Sequence, residues 1–255
     1  ARMALVLDRP PATRTWVEKA LEVEPTAYRM EVATRIYRKL GLPWAQIELL
    51  ERLVELAPAM QTETARRLVS LYERVGEPQK AMESARRVVR SLPGNRDAVE
   101  LLAQLLRRQG RSADAIIALE RAARSNDDDL QLLARLADLY RQQRQKEKAV
   151  SAYWTLFQRT EDGQARLRYI KPLFELYREG QGSDALVQRL KEVTRSERDP
   201  SLRPLAMAYV WELDGRTDLA RGELEKVLVL GGKDLRAMKR LVGLAKVDGN
   251  LEDAI

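Results

Sequence analysis

Apolar residues recur along this chain at the spacing of one face of an α-helix. Leu68, Leu71, Tyr72 and Val75 stand at positions i, i+3, i+4 and i+7, and further segments on both sides repeat the pattern. A helix with such a stripe buries it against another element and exposes its polar side. The pattern therefore predicts an all-α chain built from amphipathic helices.

A short motif separates consecutive helical segments. A glycine is followed by four mixed residues and an alanine at residues 76–81, 110–115 and 215–220. Ala81 and Ala115 are 34 residues apart, and Ala149 follows after another 34. Glycine takes a positive φ in a turn at no steric cost, and alanine lets two helix backbones approach closely. Two helices in each period, neither able to bury its apolar face alone, predict a stacked solenoid.

These features resemble the tetratricopeptide repeat (TPR) family. Residues 62–95 match its pattern of apolar, aromatic, glycine, alanine and proline positions with Ala65, Leu68, Val69, Tyr72, Gly76, Ala81, Ala85, Val88 and Pro93. The resemblance implies a right-handed superhelical solenoid of antiparallel helix pairs, with about seven repeats including partial ones at both ends. We expect one solenoid over residues 1–255, a fragment of a longer array, with repeats at 1–26 (partial), 27–61, 62–95, 96–129, 130–163, 164–200 (irregular), 201–234 and 235–255 (partial).

Three places depart from a uniform repeat. Arg144 occupies the glycine position of its repeat, and Pro172 lies inside a first helix, where it either delays the start of the helix or kinks it. Asp127, Asp128 and Asp129 lack the alternating ligands and closing glutamate of an EF-hand calcium loop. We expect these aspartates to cap the helix that follows.

Composition narrows the chemistry available to the chain. It contains no histidine and no cysteine, which excludes catalysis by either side chain, zinc held on them, and disulfides. No enzymatic motif is present, so we expect a non-catalytic protein without metal or cofactor. No stretch approaches the roughly 20 apolar residues of a membrane-spanning helix. The 45 basic and 38 acidic residues leave a net charge of +7, which favours anionic partners.

The TPR resemblance also places a ligand-binding groove on the first helices of the repeats. Cations outnumber carboxylates at the corresponding positions, which favours an acidic protein surface or another extended anionic ligand. The predicted basic groove comprises Arg35, Arg38, Arg66, Arg67, Arg107, Arg108, Arg135, Arg141, Lys171, Arg236, Lys239 and Arg240. The alternative is a solvated helix surface whose charges pair with neighbours one turn away.

One first helix breaks this polar rule. Leu202, Leu205, Tyr209 and Leu213 occupy groove positions in a segment that is apolar on all sides. We interpret them as an apolar patch for a partner or for self-association. The alternatives are that the array folds back to cover the segment, or that its register differs from the one assumed.

The expected function is a protein–protein interaction scaffold. The degenerate repeats and arginine-rich composition resemble the periplasmic TPR regions of bacterial exopolysaccharide export proteins. That resemblance implies a place in secretion and biofilm formation, recruitment of a periplasmic partner enzyme, and contact with polysaccharide. The alternatives are a cytosolic adaptor or regulator, and a basic solenoid that binds nucleic acid. Scarce aromatic residues in the groove argue against base stacking, so nucleic acid is not the expected partner.

Overall fold

The computed structural model describes residues 10–231 and 234–247, and this part of the chain folds into helices without any strand. The all-α helical repeat array predicted from the sequence is thereby confirmed. The extreme ends of the two predicted partial repeats lie outside the described residues. Residue contacts divide the chain into two compact units that meet between Asp127 and Asp128. The assignment of residues 1–255 to a single solenoid stays a prediction.

The first unit holds seven α-helices in its described part. They are α1 (Pro10–Val23), α2 (Ala27–Lys39), α3 (Pro43–Leu56), α4 (Gln61–Arg74), α5 (Pro78–Ser91), α6 (Arg96–Arg108) and α7 (Ser112–Ser125). A single 3-10 turn, Pro58–Met60, joins α3 to α4. We call α2, α4 and α6 the first helices of their repeats, and α1, α3, α5 and α7 the second helices. Each first helix packs against the second helix that follows it.

The second unit continues with eight α-helices in its described part. They are α8 (Leu130–Gln142), α9 (Lys146–Arg159), α10 (Gly163–Leu167), α11 (Ile170–Arg178), α12 (Gly182–Val193), α13 (Leu202–Leu213), α14 (Thr217–Gly231) and α15 (Leu235–Val247). Here α8, α11, α13 and α15 are first helices, and α9, α12 and α14 are second helices. The short α10 is an additional element in front of α11.

The turns inside the helix pairs adopt the conformation expected from their glycines. Gly76 has a φ of +79° and Gly110 a φ of +73°, both in the left-handed region that disfavours side chains. The amide of Gly110 donates to the carbonyl of Arg107 at 2.9 Å, and that of Arg111 to the carbonyl of Leu106 at 2.8 Å. These hydrogen bonds end the first helix and turn the chain into the second.

Arg144 makes the same turn without a glycine. Its φ is +55°, and it is the non-glycine residue with a positive φ in the described part of the chain. Its amide donates to the carbonyl of Arg141 at 3.1 Å, and that of Gln145 to the carbonyl of Tyr140 at 2.8 Å. The repeat geometry thus imposes a left-handed conformation on an arginine.

Replacing Arg144 with glycine is expected to raise the free energy of unfolding by about 0.5 kcal/mol. Relief of a left-handed conformation that costs about 1–2 kcal/mol outweighs the roughly 0.5–1 kcal/mol of added freedom in the unfolded chain. Gln143→Gly is the matched control, because Gln143 has an ordinary φ of −90° and should lose stability. Urea denaturation followed by circular dichroism measures both, and an equal loss in the two variants would contradict the idea of strain at Arg144.

Pro172 shapes the start of the irregular repeat. The α-helical hydrogen-bond pattern is interrupted at Arg168 and Tyr169, between the end of α10 and the start of α11, although both residues keep right-handed helical dihedrals. Proline has no amide to donate to the carbonyl four residues earlier, which here is that of Arg168, and its ring crowds that position. Of the two outcomes left open by the sequence, the structure shows the helix beginning late.

Of the three aspartates at residues 127–129 that were expected to cap the next helix, the structure shows Asp129 in that role. The Asp129 side chain accepts hydrogen bonds from the amides of Gln131 and Leu132 at 3.0 and 3.1 Å, which makes it the N-cap of α8. Asp128 forms an ion pair with Arg159 at 2.6 Å. Their carboxylates are therefore engaged within the protein.

Candidate partner-binding surfaces

The first helices of the first unit carry the predicted groove residues on their polar side. Arg35, Arg38 and Lys39 are exposed along the second half of α2. Within the described residues, none of these three cations forms an ion pair or a side-chain hydrogen bond. They make α2 the most openly cationic of the predicted groove segments in this unit.

Neighbouring first helices of this unit are linked by ion pairs that the sequence analysis did not anticipate. Arg67 of α4 donates to Glu31 of α2 at 2.5 Å. Arg108 of α6 donates to both carboxylate oxygens of Glu73 on α4, at 2.7 and 2.9 Å. Partly exposed ion pairs contribute little stability, about 0–1 kcal/mol each. The ion pairs matter more for binding than for stability. A guanidinium that is already paired with a carboxylate attracts a partner less strongly and has fewer free hydrogen-bond donors.

The second unit repeats this arrangement on its own first helices. Arg141 of α8 donates to Glu175 of α11 at 2.7 Å, and Arg240 of α15 pairs with Glu212 of α13. Burial raises the pKa of Glu212, and Arg240 opposes that shift. Arg236 is held at the start of its own helix by Asp234, at 2.7 Å. The hydrogen bond from Arg236, aided by backbone amides, lowers the pKa of Asp234 to about 2.

The ion pairs divide the residues of the predicted basic groove into paired and unpaired cations. Five of its members are engaged by carboxylates at hydrogen-bonding distance, namely Arg67, Arg108, Arg141, Arg236 and Arg240. The nearest approach of Arg66 to Glu63 is 3.8 Å, which is longer than a hydrogen bond. Arg107 and Arg135 are exposed, and each of them also interacts with other groups of the protein. Lys171 and Lys239 are exposed and, among the described residues, without an ion pair. That any of these side chains binds a partner stays a prediction.

The spacing of these pairs was the signal that sequence reasoning missed. Glu31 and Arg67 are 36 residues apart, Glu73 and Arg108 are 35 apart, and Arg141 and Glu175 are 34 apart. Opposite charges one repeat apart face each other when equivalent helices stack. The excess of cations over carboxylates at the groove positions does not reveal these pairs, because each of these carboxylates neutralises a cation on the neighbouring helix.

The predicted apolar patch on α13 is wrong as an exposed surface. Leu202 and Leu205 are each 2% exposed, and Tyr209 and Leu213 are only partly accessible. The helix is apolar on all sides because α10, α11, α12 and α14 all contact it. Of the alternatives left open by the sequence, the chain covers this segment itself, and Leu202 and Leu205 are not available to a partner.

Cavities on the second-helix side were not predicted either. In the first unit a cavity of about 350 Å³ is lined by residues of α3, α4 and α5, among them Glu51, Tyr72 and Arg87. The hydroxyl of Tyr72 donates to Glu51 at 2.5 Å, and burial together with this hydrogen bond raises the pKa of Tyr72. In the second unit a cleft of about 700 Å³ lies between the end of α12 and helices α13 and α14.

Among the described side chains, no cluster of three or more acidic residues is placed to hold a metal ion. Nor is any helix in the described ranges long and apolar enough to cross a membrane.

Comparison with known proteins gives distant likenesses in structure alone. No family model and no curated protein match the sequence. Among solved structures, pilF of Pseudomonas aeruginosa is 19% identical, with 77% of this chain and 88% of that chain covered at a TM-score of 0.43. A tetratricopeptide repeat protein of Parabacteroides merdae is 14% identical, with coverages of 86% and 98% and a TM-score of 0.41.

A chain of the Naa15/Naa10 complex bound to HypK-THB is also 14% identical, with coverages of 96% and 39% and a TM-score of 0.49. At such identities and TM-scores, none of these likenesses assigns a partner or a site. The fold is established by the helix pairs of the chain itself.

Proposed function

We propose that this chain is a non-catalytic scaffold that binds an acidic surface of a partner protein through its first helices. The observation that carries the proposal is the run of exposed cations on α2, namely Arg35, Arg38 and Lys39, which no described carboxylate neutralises. The core does not require these side chains, because the buried face of α2 consists of Met30, Ala33, Thr34 and Tyr37. A protein surface that is charged, ordered and unused by the fold is suited to an oppositely charged partner.

The narrower context belongs to the same proposal. We place the chain in a bacterial exopolysaccharide secretion machine, as the periplasmic repeat region of a PelB-like export protein that recruits a partner enzyme. The arginine-rich composition and the degenerate repeats support this context. A cytosolic adaptor with the same cationic helix is the second candidate. The two differ in the compartment from which the partner is recovered.

The ion pairs decide which substitutions test the scaffold proposal. Reversing Arg67 would place a second carboxylate against Glu31 and disturb the contact between α2 and α4. Arg35→Glu combined with Arg38→Glu is cleaner, since neither side chain has a described partner to lose. Arg86→Glu combined with Arg121→Glu on α5 and α7 is the matched control, because it changes the net charge equally on exposed second-helix positions.

We expect a protein partner captured from bacterial fractions to bind the Arg35/Arg38 variant at least about tenfold more weakly, as for loss of two charge contacts. Capture from envelope and cytosolic fractions, at low and high salt, identifies the partner by mass spectrometry, and titration then measures affinity. The control should bind as the unchanged protein does. Equal weakening in both variants, or capture of only salt-labile nucleic acid, would reject the α2 surface as the binding site.

A further inference from the structure

The cavity between α3 and α5 contains polar groups that the fold leaves without partners. The Nε of Arg87 and the Oγ of Ser84 are both buried, and neither atom has a hydrogen-bond partner in the protein. Both residues line the cavity, and Ser84 is only 4% exposed. Buried polar groups are normally satisfied, so two unsatisfied groups beside one cavity indicate that a bound group completes them.

The charges around the cavity define what that group is. Arg87 and Arg90 lie one turn apart on α5, and neither forms an ion pair among the described residues. Glu51 is occupied by the hydroxyl of Tyr72, at 2.5 Å. Lys80 at the rim stacks over the ring of Trp44, with its Nζ 5.6 Å from the ring centroid, and lies 3.8 Å from Glu77. The donors that remain are therefore those of Arg87, Arg90 and Ser84, and all of them suit an oxyanion.

Two features favour a carboxylate over a phosphate. Glu51 and Glu83 also line the cavity, so a ligand with two negative charges would meet strong repulsion there. A guanidinium presents a planar pair of donors that matches the two oxygens of a carboxylate. The volume of about 350 Å³ lies near the lower end of the roughly 300–1,000 Å³ typical of small-molecule sites. It accommodates one acidic side chain or one small acid.

We propose that this cavity is a carboxylate-binding site in which Arg87 and Ser84 donate hydrogen bonds to the bound group. The group comes either from a small free acid or from an aspartate or glutamate side chain of a protein segment. The site lies on the second-helix side and includes no residue of the predicted basic groove. This proposal can therefore be tested independently of partner binding at α2.

The test uses the whole chain and defined probes. Glutamate capped at both backbone ends represents a protein side chain, propionate represents a small acid, and capped glutamine is the uncharged control. The ¹H–¹⁵N signal of the Arg87 Nε–H group reports hydrogen bonding directly, and backbone amide signals report the fold. Tighter binding of capped glutamate assigns the site to a protein segment, and tighter binding of propionate assigns it to a small acid.

Four variants make the outcome specific. Arg87→Met is expected to weaken carboxylate binding at least about tenfold, as for loss of a charge-assisted hydrogen bond. Arg86→Met is the matched control, because it removes the same charge from the preceding residue, which is exposed and outside the cavity. Ser84→Ala should weaken binding severalfold, and Glu83→Gln should tighten it, since a repelling carboxylate is removed.

The proposal is overturned if neither acid shifts the Arg87 signal, or if capped glutamine shifts it as much as capped glutamate does. It is equally overturned if Arg86→Met and Arg87→Met weaken binding to the same extent, because that result indicates non-specific attraction. Should Arg87→Met fail to fold, the opposite changes expected for Ser84→Ala and Glu83→Gln decide the matter.

Discussion

Replacing Phe157 with alanine is expected to lower the free energy of unfolding of the second unit by about 3–5 kcal/mol. Phe157 is 1% exposed on α9, a helix that contacts α8, α10 and α11. Its ring meets that of Trp154 edge to face, with centroids 5.7 Å apart, a geometry that adds about 0.5–1.5 kcal/mol to the burial itself. Truncation to alanine leaves a cavity, and the neighbouring helices can fill it only by shifting out of their packed positions.

Urea denaturation and amide hydrogen exchange measure this loss. Gln158→Ala is the control, since Gln158 is the exposed next residue of the same helix. In a repeat array each helix depends mainly on its neighbours, so faster exchange should concentrate in α8, α9 and α11. A loss no greater than that of the control would show that Phe157 is not packed as described.

The second large effect is expected in the first unit, from Leu53→Ala. Leu53 is fully buried on α3, between α2 and α4, and its truncation should cost about 2–5 kcal/mol. Leu56→Ala provides a control of identical chemistry on the same helix, because Leu56 is 53% exposed. That control should cost less than about 1 kcal/mol.

Exchange measurements on the Leu53 variant should show increased opening of α2, α3 and α4. Equal effects of Leu53→Ala and Leu56→Ala would contradict the burial that distinguishes them. Since Leu53 and Phe157 lie in different contact units, the two variants also show whether a loss in one unit stays confined to it.

Much of the fold could be predicted because its determinants are local. The apolar spacing around Leu68 and Tyr72 is a property of one helix, and the positive φ of Gly76 is a property of one turn. Asp129 caps α8 through amides only two and three residues away. Each of these interactions depends on residues close in sequence, so its pattern can be recognised without the rest of the molecule.

The candidate surfaces were less predictable because they depend on how helices stack. Reading Arg67 and Arg108 as groove cations was reasonable for isolated helices, but each faces a glutamate of the neighbouring first helix. The pair between Glu212 and Arg240 spans 28 residues rather than a full repeat, so no fixed spacing finds every such pair. The sequence does not reveal the unsatisfied polar atoms of Arg87 and Ser84, because only the packing of the helices shows that these atoms are buried without a hydrogen-bond partner.

The amino-acid sequence alone is enough to predict an array of amphipathic helix pairs with glycine-centred turns. This is possible because helix periodicity, capping and backbone strain act over a few residues. The packing of the helices was needed to show which cations remain available on α2, and that α13 is covered by the chain rather than by a partner. Both results depend on distances between helices that are far apart in sequence. Small differences in helix stacking decide which neighbouring side chain a charged residue or a leucine contacts.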